Sequence, residues 1–89
     1  MKIKVEKPSQ EQIEQLGVKN WPIWTKEVSE FPWYYDDKET CLILQGQVSV
    51  TPEGGEPVDI KAGDLVEFPQ GMRCVWTITQ DIRKHYKFG

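Results

Sequence analysis

The sequence predicts an all-β domain, an antiparallel jelly-roll barrel with one short N-terminal helix. Three observations predict it. Beyond residue 20 the apolar residues fall in seven or eight short runs, punctuated by Gly, Pro and acidic turn residues. Only one segment, close to the N-terminus, carries a helical pattern. Four Trp, three Tyr and three Phe in 89 residues give a small chain enough bulk for a core, and also the means to line a pocket. A chain of this length holds one domain, so 1–89 is read as a single unit: a short strand and helix over about 1–17, then the barrel over about 21–88.

In "KPSQEQIEQLGV" Ser9 is placed to cap a helix, with Gln12 three residues on as its capping-box partner. Ile13 and Leu16 supply one apolar face and Gly17 ends it. A strand is expected over 21–28, starting at an edge because Pro22 lacks an N–H. Further strands are expected over 33–37, 39–45 and 47–52, with Gly46 as a bend or hairpin point. After the turn "PEGGEP" come short strands at 58–60 and 65–68, the turn Pro69-Gln70-Gly71, and strands at 73–79 and 81–88.

Charge and composition narrow the function. The net charge is −3 and no basic run exists, which argues against nucleic acid as a partner. No stretch approaches the apolar length of a membrane span, and "MKIKVEKPSQ" has no apolar signal core. Two cysteines make no disulfide framework, so two reduced thiols in a cytoplasmic protein are expected.

Spacing supplies the sharper signal. Glu39 is followed after six residues by Gly46; Gly63 is followed after five by Pro69-Gln70-Gly71, and Cys74 stands two residues beyond. This resembles the two motifs of cupins, whose first ends in Glu, six residues, Gly, and whose second runs Gly, five residues, Pro-x-Gly, two residues, His. "KETCLILQG", "GDLVEFPQG", "CVW" and "RKHYKF" together are similar to the small cupins related to ureidoglycine aminohydrolase. The resemblance implies a cupin barrel with a small polar metabolite as ligand or substrate and a homodimeric state.

It also implies four metal-ligand positions, here Trp33, Tyr35, Glu39 and Cys74, of which only the Glu is retained. Manganese, iron or zinc would be left with Glu39 and Cys74 alone, fewer donors than such ions take from a protein. The expectation is therefore no intrinsic metal, and a cupin that binds a metabolite without converting it, catalyses by other means, or serves as a purely structural homodimer. For catalysis the candidates are Glu39 as acid or base, Cys74 as nucleophile, and Tyr35 orienting the substrate.

Strand parity groups Trp33, Tyr35, Glu39 and Cys41 on one face, and Cys74 and Trp76 on another, and the resemblance implies that both faces point into the barrel. Trp33, Cys41, Trp76 and Lys84 are thus expected to line the pocket, Lys84 within reach of Glu39. His85, the only histidine, shares parity with Arg83 and Lys87 and is expected to face outward. Six aromatics within 21–35 read as core, as a dimer contact, or as a wall stacking on a flat ligand.

Overall fold

A computed structural model describes residues 2–89. Its elements are β1 (Lys4–Glu6), α1 (Gln10–Leu16), a 3-10 turn (Val18–Asn20), β2 (Ile23–Lys26), β3 (Ser29–Tyr34), β4 (Glu39–Pro52), β5 (Val58–Lys61), β6 (Leu65–Phe68) and β7 (Arg73–Phe88). All strand pairs are antiparallel. The expected all-β jelly roll with one short helix is the fold observed.

Two long strands organise it. β4 and β7 pair along nearly their whole length, from Glu39 opposite Phe88 to Pro52 opposite Cys74. On the far side of β7, β2 pairs with its second half and β3 with its first; on the far side of β4, β6 and β5 divide the edge in the same way. The sequence reading split each long strand in two. Gly46 does not end a strand. It lies within irregular pairing between Ile43 and Val48, where its φ of 99° lets the chain bend. A Cβ at Gly46 would overlap the Asp81 carbonyl, so the bend needs glycine. The irregularity also changes the inward phase: Glu39, Cys41 and Ile43 point inside before it, Val48 and Val50 after it. Gln80, read as the gap between two strands, is simply exposed strand.

The interior is packed by Tyr35, Cys41, Ile43, Val48, Val50, Ile60, Val66, Phe68, Met72, Trp76, Ile78 and Ile82. Each large side chain buried there contributes roughly 1.5–3 kcal/mol of transfer free energy. A smaller cluster of Val18, Leu42 and Leu65, backed by Ile13 and Trp21, lies where the N-terminal segment packs outside the barrel. That cover explains why Leu42 is buried although its neighbours Cys41 and Ile43 point the other way.

The helix is capped as expected at both ends. The Gln12 backbone N–H donates to Ser9 Oγ, and Gly17 adopts φ 68°. The Gln12 side chain does not complete a capping box, since its Nε2 donates to Glu6 instead. The second and third strands are displaced from the expected ranges. Pro22 keeps β2 from starting before Ile23, while β3 begins early and accommodates Pro32 because its outer edge has no partner strand among the described residues.

Candidate functional site

The pairing of β2 and β4 with the second half of β7 brings a carboxylate and an ammonium together inside the barrel. Lys84 lies opposite Ile43 on one side and Trp24 on the other; Glu39 opens β4 opposite Phe88. Lys84 Nζ donates to Glu39 Oε2 at 2.5 Å, with the side chains only 6% and 4% exposed. The indole faces of Trp24 and Trp76 flank the ammonium, with ring centroids 4.8 and 4.7 Å from Nζ. Burying two charges is costly, and here a direct hydrogen bond and two ring quadrupoles replace the lost water.

Around this pair opens a cleft of about 160 Å³, walled by aromatic side chains. Phe31 stacks on Trp76 with centroids 6.2 Å apart, and Tyr35 stacks on Phe68 at 4.7 Å. Trp76 Nε1 donates to the Tyr35 hydroxyl at 3.1 Å. Burial, reinforced by the nearby Glu39 charge, holds the Tyr35 phenol far above its ordinary titration range, so it keeps its proton. Trp33, Tyr86 and Phe88 complete the rim.

The EutQ-like cupin domain family matches residues 13–86, most of the chain. The chain belongs to that family. A DUF861 family protein from Thermotoga maritima is 53% identical, with 99% of this chain and 100% of that one covered and a TM-score of 0.97. A protein described as ethanolamine utilization protein Q from Salmonella typhimurium is 27% identical, covering 74% of this chain and 53% of that one, with a TM-score of 0.67. The EutQ protein of Clostridium difficile shares the fold at 18% identity and a TM-score of 0.67, covering 74% of this chain and 52% of that one. This cupin thus spans about half the length of those two proteins. No protein with a curated description matches it.

Of the residues singled out in the sequence, Glu39, Tyr35, Trp33, Trp76 and Lys84 converge on the cleft. Cys41 and Cys74 do not line it, which corrects the expected placement of both. Cys74 pairs with Trp33 across β3 and its Sγ lies 3.7 Å from the Trp33 carbonyl oxygen. Burial pushes the Cys74 thiol up to about 11 and the Cys41 thiol up to about 12, so neither is a thiolate near neutrality. His85 turns away from the barrel interior, its Nδ1 at 2.9 Å from the Trp21 carbonyl oxygen.

The four positions that hold a metal in other cupins do not fit one here. They offer an indole, a protonated phenol, a carboxylate already engaged by an ammonium, and a protonated thiol turned to a backbone carbonyl. Among the described residues no three or more His, Cys, Asp or Glu side chains are grouped as a metal site. Sequence reasoning missed Trp24, Phe31, Tyr86 and Phe88 as individual wall residues. The aromatic density of 21–35 signalled the first two, and Tyr86 shares the parity of Lys84.

Proposed function

We propose that this cupin binds a small polar metabolite in the aromatic cleft and does so without a metal. The observation that carries the reading is the hydrogen-bonded Glu39–Lys84 pair inside an otherwise aromatic recess. Pockets for small molecules combine apolar walls with a few convergent polar groups that fix orientation, and this recess has that composition. The walls take the flat or apolar part of the ligand, and the pair meets its polar edge. Tyr35, protonated and anchored by Trp76, orients the ligand from the side. The aminohydrolase activity implied by the resemblance to ureidoglycine aminohydrolase is not carried over, because that enzyme's metal donors are missing at Trp33, Tyr35 and Cys74. The outer edges of β2 and β3, which pair with no other strand among the described residues, with Ile23 and Tyr34 exposed on them and Val28 exposed between them, are the margin proposed to meet a second copy.

A thermal-shift screen of small polar metabolites, run with and without a chelator, tests the reading. A true ligand raises Tm progressively with the logarithm of its concentration, by about 2.7 kcal/mol of stabilisation at a hundredfold excess over Kd. The shift is expected to survive chelation and to vanish in Trp33→Ala, which alters a half-exposed rim residue without opening the core. Ligand stabilisation that disappears on chelation, or that Trp33→Ala leaves intact, would refute it. Light scattering that returns a monomer would remove the second copy.

A further inference from the structure

We infer that the cleft selects a neutral, flat, single-ring ligand carrying N–H and C=O side by side on one edge, a cyclic amide, over ligands with a net charge. The inference rests on the small-molecule reading above and narrows it to a chemical class.

The polar floor presents a donor and an acceptor close together. Lys84 donates to Oε2 of Glu39, and an ammonium has three N–H groups. Oε1 of the same carboxylate receives no hydrogen bond from any described residue, yet among those residues no buried side-chain nitrogen or oxygen lacks a partner. Oε1 therefore opens on the cleft. A ligand that satisfies both groups accepts from Nζ and donates to Oε1 through neighbouring atoms, as a cyclic amide does with its carbonyl and N–H.

Charge balance favours a neutral ligand. The pair is neutral as a unit, and among the described lining residues there is no other Asp, Glu, Lys, Arg or His. An anion or a cation would bring an uncompensated charge into an apolar recess, which costs more than burying a hydrogen-bonded neutral group. The indole faces nearest the pair already hold the Lys84 ammonium, so a ligand cation gains little there.

Size and shape point to one ring. The cleft measures about 160 Å³, and an engineered apolar cavity of about 150 Å³ accommodates benzene. The rim aromatics, Trp33 and Phe88, are each about half exposed and can close on a planar face. No bond is made or broken in this recognition.

The test uses the full chain and reads the indole Nε1 signals of Trp24, Trp33 and Trp76 by proton–nitrogen NMR during titration with four probes. These are 2-pyridone, N-methyl-2-pyridone (the same ring and carbonyl without the donor), benzoate and benzylammonium. The expected result is binding of 2-pyridone at least tenfold tighter than any of the other three, because a site built to hydrogen-bond an N–H rejects the analogue lacking it. The preference is expected to collapse in the double variant Glu39→Met/Lys84→Met. A preference below tenfold over N-methyl-2-pyridone, or tighter binding of a charged probe, overturns the cyclic-amide class while leaving a small-molecule site in place. If no probe moves the indole signals and the metabolite screen is also empty, both readings fall.

Discussion

Replacing Lys84 by methionine isolates the central feature of the site. The variant keeps an unbranched apolar stem against Trp24 and Trp76 but leaves the Glu39 carboxylate buried without its ion partner. Both side chains are more than nine-tenths buried, so solvent screens the pair little. Removing one partner of such a pair costs about 3–5 kcal/mol, much of it the penalty of the orphaned charge. A domain of this size has a total stability of roughly 5–15 kcal/mol, so the loss takes a large share of it. Glu39→Met/Lys84→Met removes both charges and is expected within about 1 kcal/mol of the parent, because the desolvation penalty disappears with the attraction. Urea unfolding followed by tryptophan fluorescence gives each free energy. A defect below 1 kcal/mol at pH 7, or a double variant worse than the single one, would refute the premise that the two charges depend on each other.

Tyr35→Phe removes the acceptor for Trp76 Nε1 and leaves a buried N–H unpaired; about 1–3 kcal/mol is expected to be lost in the same urea assay. Gly46→Ala combines a left-handed φ with overlap on the Asp81 carbonyl, and a loss of about 2 kcal/mol or more is expected, with a native-like m-value. Cys41 and Cys74 are expected to react slowly with a thiol reagent at pH 8 in the folded protein and at once in denaturant. Their folded-state pKa values are raised from 9.0 to about 12 and about 11, so the unfolded chain ionises first. Their contribution to stability is therefore fully present below pH 9 and is lost as pH climbs from 9 towards 11 and 12, and a stability–pH curve flat over that window would contradict the burial.

The sequence carried the turns better than the strands. Pro69-Gln70-Gly71 and the Gly63-Asp64 turn fixed β6 to within a residue, because each turn demands a particular residue type. The joining of two predicted strands into β4 could not be read, since Gly46 signals a bend without saying whether the chain reverses there. The same bulge shifts the inward phase by one residue, so parity counted from Glu39 fails at Val48. For the site, parity along β7 put Lys84 inside and within reach of Glu39. It could not show that Trp24 lies across from Lys84, because that register joins strands at opposite ends of the chain. Cys74 shows the opposite failure. Its inward parity was right, since it joins the buried core, but it does not line the cleft, so facing inward does not amount to facing the cleft.

The buried pair gives the missing ligand positions a physical explanation. A carboxylate inside an aromatic barrel needs a positive partner, and the usual cupin motif supplies it with imidazole donors that bring a metal. Here an ammonium from the last strand reaches Glu39 directly, and the positions freed of histidine carry Trp33 and Tyr35, which wall the recess. Two consequences for recognition follow from the charge alone. A single positive charge balances the carboxylate fully, whereas a divalent ion leaves an excess that draws anions. An ammonium also offers its remaining N–H groups as directed donors, which suits a neutral carbonyl. A chain that carried histidines at positions 33, 35 and 74 while keeping Lys84 would face like-charge repulsion between the ammonium and any bound metal.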